Sequence, residues 1–297
     1  MLVGCGTSAP AAVAQPYPAT GLVLLSLTDG SARASASIGT DPVAVIISDD
    51  GSIAYVADSS PGDVYAVHLP GLKVAWKQHV GGAPFGLLLH GGILFVSLFS
   101  TGAVVELDPA TGLQRARHSL PQGPAVMSVD AGGRVVVAGT RGQVYYLDGT
   151  AIPAGNGFGI AVVNGVVWTA DYERAELVRE GDGHRVGLPL PVFPFWLSAG
   201  PSGTMLIAAE GGSEDVDQGG VFAFDTLTSK FTTLARPRDP DQVLQAGSKV
   251  LVASHGDREV LAIEGGRTST WAPGAAAVGI AADRMLNLLV VVVNAHE

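Results

Sequence analysis

Residues 42–67 read PVAVIISDDGSIAYVADSSPGDVYAV and contain three short segments rich in valine, isoleucine, alanine and tyrosine. β-Branched and aromatic residues favour strands, whereas the intervening DDG and SSPGD sequences are typical of tight turns. Strands that are joined by turns of only a few residues pair in antiparallel fashion. The stretch therefore predicts three consecutive antiparallel β-strands.

The same pattern recurs along the chain at intervals of 34 to 46 residues. Apolar residues alternate with a period of two inside each segment, which excludes helical repeats of similar length. A repeat of about 40 residues with four short strands is typical of a β-propeller blade. The copies begin at Pro42, at Pro84, at Pro124, near Phe158, at Pro194 and at Pro240.

A further copy is split between the two ends of the chain. Residues 277–293 supply two apolar segments, and residues 21–39 supply two more around the turn at Asp29-Gly30. Joining them completes a four-stranded blade and removes sheet edges that would otherwise be exposed. The sequence therefore predicts an all-β, seven-bladed propeller whose last blade is closed by N- and C-terminal strands. The alternative is six blades.

One copy supports a resemblance to a known family. Residues 49–58, DDGSIAYVAD, resemble the YVTN pattern, in which an aspartate-glycine turn precedes a strand ending in a small residue and Asn or Asp. The resemblance to YVTN/NHL-type bacterial propellers, which include virginiamycin B lyase-like and lactonase-like proteins, spans Thr20 to Asn294. It implies the seven-bladed fold but no single function, because this fold carries many activities.

Composition narrows the class of partner. The chain has 17 Lys and Arg against 27 Asp and Glu, a formal net charge of −10, and no basic run. Such a field repels nucleic acid. There is one cysteine, so no disulfide forms within the chain, and no apolar stretch is long enough for a transmembrane helix. We expect a monomer that binds a small molecule or a protein partner and no nucleic acid.

The first residues indicate a location. Leu2-Val3-Gly4-Cys5 resembles a bacterial lipobox, and an alanine- and proline-rich stretch typical of a flexible linker follows to residue 19. This predicts a lipid anchor on Cys5 of an extracytoplasmic lipoprotein, periplasmic or at the cell surface, with the propeller at residues 20–297. The basic and apolar regions of a signal peptide are missing ahead of it, so an ordinary start with an exposed cysteine is the alternative.

Candidate site residues follow from the repeat. In a propeller, two sets of loops surround one channel mouth. One set follows the second strand of each blade, and the other set precedes the first strand of each blade. Acids, histidines and aromatic residues at these positions predict a polar pocket with an aromatic wall, as in many ligand sites. The ligand-binding candidates are Asp58, Arg141, Asp171, Tyr172, Trp196, Asp241 and His296, and the catalytic candidates are Glu210 and His255.

A calcium ion is the cofactor that these residues suggest. Asp58, Asp171 and Glu210 could supply the oxygen ligands that Ca²⁺ prefers. The alternative is that the aspartates cap loop turns, as they commonly do.

Three functions fit the sequence. The first is an extracytoplasmic binding scaffold, in keeping with the lipobox, the linker and the lack of a G-x-S-x-G motif. The second is a lactonase-like hydrolase or carbon-oxygen lyase, with Glu210 or His255 as general base and a possible divalent metal. The third is a subunit of a periplasmic redox complex, which no C-x-x-C-H motif supports.

Overall fold

The computed structural model describes residues 17–121, 123–211 and 218–296. These residues form β-strands joined by turns, with one short 3-10 turn at Pro201–Gly203. The N-terminal strands are β1 (Thr20–Ser26) and β2 (Ala32–Ala36). They are followed by β3 (Pro42–Ile47), β4 (Ile53–Asp58), β5 (Asp63–His68), β6 (Lys73–His79), β7 (Pro84–His90), β8 (Ile93–Leu98), β9 (Ala103–Leu107), β10 (Gln114–Ser119), β11 (Pro124–Val129), β12 (Val135–Gly139), β13 (Gln143–Tyr146) and β14 (Ala151–Pro153). The second half contains β15 (Ile160–Val163), β16 (Val166–Asp171), β17 (Glu176–Arg179), β18 (Arg185–Gly187), β19 (Val192–Ala199), β20 (Thr204–Gly211), β21 (Gly220–Asp225), β22 (Lys230–Ala235), β23 (Pro240–Ala246), β24 (Lys249–Ser254), β25 (Glu259–Glu264), β26 (Arg267–Trp271), β27 (Ala277–Asp283) and β28 (Leu288–Asn294).

The strands form seven four-stranded antiparallel sheets, which we number as blades 1 to 7. Blades 1 to 6 each take four consecutive strands from β3 to β26, and blade 7 has the order β27-β28-β1-β2. The first strand of each blade contacts the first strand of the next, from β3 round to β27 and back to β3. The seven-bladed prediction is confirmed, and the six-bladed alternative is wrong.

Blade 7 joins the two ends of the ring in the way the split repeat predicted. Strand β1 pairs with β28 from Thr20 opposite Asn294 to Ser26 opposite Leu288. Strand β28 is buried throughout, and Leu24 at the centre of β1 is fully buried. This pairing closes the ring. The backbone groups of β1 and β28 bond to each other, so neither strand is left as an unpaired edge within blade 7.

Two predicted blade starts were displaced. Blade 4 begins at Ile160 rather than near Phe158, because Phe158 lies in the connecting loop, where its carbonyl oxygen accepts a hydrogen bond from the Val126 amide at 3.3 Å. Blade 5 begins at Val192, two residues before Pro194. Periodicity predicts the presence of a strand better than the residue at which it begins, because the pattern does not mark the loop that leads into the strand.

The core lies between neighbouring blades and not at the axis. Apolar faces of adjacent sheets pack together in clusters such as the one that joins Tyr55 and Val64 of blade 1 to Leu94 and Val105 of blade 2. A channel runs along the axis of the ring, and part of it is a cavity of about 280 Å³ beside Trp196 and Leu244. Within the described ranges, no helix combines the length and apolar character needed to cross a membrane.

Candidate functional site

Bulges occur at or within a few residues of the start of the inner strands. The pairing of first and second strands shifts register at this point in blades 1, 2, 3, 5, 6 and 7. A β-bulge leaves one residue unpaired and re-aims its side chain, and bulges are common beside functional sites. The residues in the shifted positions include Val43, Phe85, Phe195, Asp241 and Val278.

These five residues line one narrow cavity, together with Ala44 and Trp196. The cavity has a volume of about 20 Å³, which is room for one water molecule or one ion. The rings of Phe85 and Phe195 meet edge-on across 6.5 Å. The bulges therefore narrow the channel near the mouth and place a single carboxylate, that of Asp241, among apolar side chains.

Aromatic rings extend from this constriction over the mouth. We call this group the mouth ring cluster: Phe85, Phe99, Phe158, Tyr172, Phe193 and Phe195. Neighbouring ring centroids in it are 5.0 to 6.5 Å apart, the separation at which aromatic pairs attract one another. The cluster draws on residues from blades 2, 4 and 5 and from the loop before blade 4, so it forms one apolar wall.

Three carboxylates meet at the edge of this wall. We call them the mouth acid cluster: Glu210, Asp239 and Asp241, each of which offers an oxygen within 4.8 Å of the others. Glu210 lies near the end of β20, Asp239 lies in the loop before β23, and Asp241 is the bulged residue of β23. All three are partly buried. Their oxygens therefore converge from two neighbouring blades.

The two clusters are joined by hydrogen bonds and by strand pairing. The Tyr172 hydroxyl donates to Oε2 of Glu210 at 2.6 Å, and its ring stacks on Phe193 at 5.2 Å between centroids. Phe193 is the cross-strand partner of Glu210. One tyrosine thus holds an acid of one cluster against the rings of the other.

His255 contacts the acid cluster through Asp239. Its Nδ1 is 3.5 Å from Oδ2 of Asp239, and its backbone amide donates to the Asp239 carbonyl oxygen at 3.0 Å. Asp239 has a φ of +45°, a conformation that aspartate tolerates better than bulkier residues. This backbone geometry turns the loop so that Asp239 contacts the histidine and also faces Asp241.

The electrostatics of the mouth keep the Tyr172 phenol protonated. Burial raises the pKa of Tyr172, and the hydrogen bond to Glu210 and the negative charges of Glu210 and Asp239 raise it further. Each of these effects disfavours a phenolate beside carboxylates. Tyr172 is therefore a hydrogen-bond donor at every physiological pH.

Asp58 and Asp171 end equivalent strands but do not lie in the acid cluster. Oδ1 of Asp58 accepts hydrogen bonds from the backbone amides of Thr40 at 3.0 Å and Asp41 at 2.6 Å. Oδ2 of Asp171 forms ion pairs with Arg174 at 3.2 Å and Arg185 at 2.7 Å. The first carboxylate caps a loop and the second neutralises two arginines, so Glu210 alone of the suggested calcium ligands belongs to the acid cluster.

The other predicted residues are spread around the mouth and channel. Arg141 lines a surface cavity of about 290 Å³ with Phe99. Trp196 lies inside the channel. His296 is exposed, and its amide donates to Oδ1 of the buried Asn294 at 3.1 Å. Cys5 lies outside the described residues.

The periodicity did not identify all members of the two clusters. The periodicity predicts a strand start near Phe158, which instead lies in a loop, and it does not identify Phe193. A usable signal was present, because a bulky or charged residue follows the first proline of blades 2 and 6 and enters the channel there. If the residue after the first proline is taken as a bulge position, Phe85 and Asp241 are predicted to lie at the narrow part of the channel.

The comparisons with known proteins show the fold. No protein-family model and no curated protein matches the chain. Among solved structures, BamB from Moraxella catarrhalis is 17% identical with a TM-score of 0.56, covering 96% of both chains. The Pseudomonas aeruginosa periplasmic gluconolactonase PpgL is 14% identical with a TM-score of 0.62, covering 93% of this chain and 97% of PpgL.

A third similar structure comes from a eukaryote. The β-propeller domain of Cps50 (Swd1) from Myceliophteria thermophila is 11% identical with a TM-score of 0.66, covering 86% of this chain and 97% of that domain. Proteins with such different names share this architecture, because a propeller presents different loops on the same ring. The chain is therefore similar in fold to bacterial and eukaryotic β-propellers.

Proposed function

We propose that this protein is an extracytoplasmic scaffold that binds a small molecule at the channel mouth. The observation that carries the proposal is the position of the mouth acid cluster against the mouth ring cluster. Acids and rings at one site recognise a ligand with a polar end and an apolar or ring-shaped body. The lipobox-like start and the resemblance to YVTN/NHL-type propellers support the envelope location, with Cys5 as the anchor.

The acid cluster would hold a divalent cation, for which Ca²⁺ is our first choice. Ca²⁺ binds oxygen ligands at about 2.3–2.6 Å, so two ligands on opposite sides of the ion lie about 4.6–5.2 Å apart. The three carboxylate oxygens are within 4.8 Å of one another. The cavity beside Asp241 has room for one ion or water but not for the body of a ligand. The body would lie on the rings above it, with an oxygen directed at the ion.

Calorimetric titration of the purified, EDTA-treated protein with CaCl₂ tests the cation site. We expect one binding event per chain that Glu210→Gln and Asp241→Asn each weaken at least tenfold, because each removes one anionic ligand. Glu264→Gln is the matched control, since Glu264 is an exposed acid at the far end of β25. Absence of calcium binding, or equal binding by all four proteins, contradicts the cation site.

The ligand itself is sought by thermal-shift screening of the calcium-loaded protein against sugar acids, lactones and short peptides. A ligand that binds only the folded state raises the unfolding temperature. We expect a hit whose effect is lost in Phe195→Ala and in Glu210→Gln. Hits that survive both substitutions bind elsewhere, and they would contradict the mouth as the site.

A lactonase-like hydrolase is the second candidate, and the position of His255 favours it. The imidazole contacts Asp239 at 3.5 Å beside the acid cluster, where it could act as a general base for water attack on a lactone carbonyl polarised by a cation. Hydrolysis of glucono-1,5-lactone, measured against buffer alone, tests this activity. A hydrolysis rate above background that His255→Gln lowers at least a hundredfold supports the lactonase hypothesis. A rate equal to background contradicts it and favours the binding scaffold.

A further inference from the structure

A second cavity lies on the face of the propeller opposite the mouth, between blades 1 and 2. It is formed by the β3–β4, β7–β8 and β9–β10 turns together with β6 and has a volume of about 710 Å³. We call it the blade 1–2 groove, and its principal residues are Asp49, Asp50, Tyr55, Trp76, Leu89 and Ala110. Sites for small molecules commonly measure about 300–1,000 Å³, and they combine apolar and aromatic walls with a few polar groups.

The floor of the groove is a fixed pair of aromatic rings. The rings of Tyr55 and Trp76 are 5.9 Å apart at 39°, and the Tyr55 hydroxyl and Trp76 Nε1 both donate to the Pro109 carbonyl oxygen at 3.1 Å. Gly112 packs on the indole so closely that a methyl group on it would lie 2.7 Å from the ring. The indole is therefore held in place before any ligand arrives, and it remains partly exposed.

The rim of the groove is negatively charged. Asp49 and Asp50 are both exposed. The Ser52 amide and the hydroxyls of Ser48 and Ser52 donate to the Asp50 carboxylate, which lowers its pKa to about 2. Burial raises the pKa of Tyr55, and the charges of Asp50, Asp108 and Asp49 raise it further. The carboxylates of Asp49 and Asp50 therefore line the groove, and that of Asp108 lies beside it in an ion pair with Arg115.

We propose that the blade 1–2 groove binds a small organic cation, namely a protonated primary amine attached to a planar aromatic body. The planar body would pack against Trp76 and Leu89, and the ammonium group would lie at the rim beside Asp49. Stacking of the planar body on the indole would contribute to binding, and the carboxylate of Asp49 would attract the ammonium. This site is separate from the mouth and does not depend on the function proposed for it.

Calorimetry with tryptamine as the probe tests the proposal. We expect tryptamine to bind the wild-type protein. Indole, which lacks the charge, and indole-3-acetate, which reverses it, should bind at least tenfold more weakly. Trp76→Leu should weaken tryptamine binding at least tenfold and Asp49→Asn at least threefold. Trp76→Phe keeps a ring, so it should retain most of the affinity and provides a folded variant if Trp76→Leu unfolds.

The mouth variant Glu210→Gln separates the two sites. It should bind tryptamine as the wild type does, so a failed mouth proposal leaves this one intact. The groove is overturned as an amine site by no tryptamine binding, by equal binding of Trp76→Leu, Asp49→Asn and the wild type, by binding lost in Glu210→Gln, or by indole binding as tightly as tryptamine. Octa-arginine binding that needs Trp76, without tryptamine binding, would also overturn it and would assign the groove to a basic segment of a partner protein.

Discussion

The Tyr172 hydroxyl lies 2.6 Å from Oε2 of Glu210, and this hydrogen bond joins blade 4 to blade 5 at the channel mouth. The same tyrosine packs edge-on against Phe158 and stacks on Phe193. Because one residue takes part in both clusters, the rings and the acids are positioned together. A substitution at Tyr172 should therefore change the free energy of unfolding as well as the affinity of the mouth for a ligand.

The first prediction concerns the pH dependence of stability. Tyr172→Phe keeps the ring contacts and removes the donor, so we expect it to lower the free energy of unfolding by about 1 kcal/mol at pH 7. The folded-state pKa of Tyr172 is raised above its usual value of 10.0. The contribution of this group is therefore complete below pH 10 and is lost as pH rises through the folded-state pKa. Urea unfolding of both proteins at pH 7, 9, 10.5 and 11.5 should show a difference that is constant up to pH 9 and smaller at pH 11.5.

The second prediction concerns the capping carboxylate of Asp58. Asp58→Ala leaves the partly buried amides of Thr40 and Asp41 without their acceptor, at a cost of about 1–3 kcal/mol in unfolding free energy. Asp58→Asn keeps an oxygen that can accept both hydrogen bonds and should lose less than half as much. Urea denaturation followed by circular dichroism measures both. Equal losses in the two variants would show that the charge, and not the hydrogen bonds, is what stabilises this loop.

The third prediction tests ring closure in blade 7. Leu24 of β1 is fully buried in the cluster that packs blade 7 against Val45 and Val56 of blade 1, so Leu24→Ala should lower the unfolding free energy by about 2–5 kcal/mol. Leu227 is 81% exposed in a turn of blade 5, and Leu227→Ala should change it by less than about 0.5 kcal/mol. Chemical denaturation compares the pair. A small loss in Leu24→Ala would mean that the terminal blade contributes little to the stability of the ring.

The fourth prediction concerns the close approach of blades 2 and 3. A methyl group on Gly86 would overlap the Ala125 carbonyl oxygen and lie 2.9 Å from Oγ of Ser97, which already accepts the Gly86 amide hydrogen bond at 2.7 Å. Gly86→Ala should therefore lower the unfolding free energy by about 1–3 kcal/mol. Gly187→Ala is the control, because nothing lies within 4 Å of a methyl group there. A melting temperature of Gly86→Ala equal to that of the control would show that the inner strands can separate without cost.

Much of the fold was predictable because its determinants are local. The alternation of apolar residues and the turn sequences of residues 42–67 recur in each blade, and a strand of period two buries one face wherever it occurs. The split repeat also predicted the pairing of β1 with β28. The strand start at Ile160 differs from the prediction because the loop around Phe158 packs its ring inward, as a strand does. The start at Val192 differs because the proline that marks the repeat, Pro194, lies inside β19.

The sequence by itself determined the seven repeats, the joined terminal blade and the end of the ring to which Tyr172, Glu210, Asp241 and His255 belong. Only the tertiary structure decided which acids meet. Asp58 and Asp171 hold positions equivalent to one another in the repeat, yet they bond to a loop and to two arginines. Asp239 and Asp241 face Glu210 because a left-handed residue and a bulge turn them toward it. Repeat position fixes the end of a strand, but convergence depends on the bulges and on the packing of neighbouring blades, which a pattern of period two does not encode.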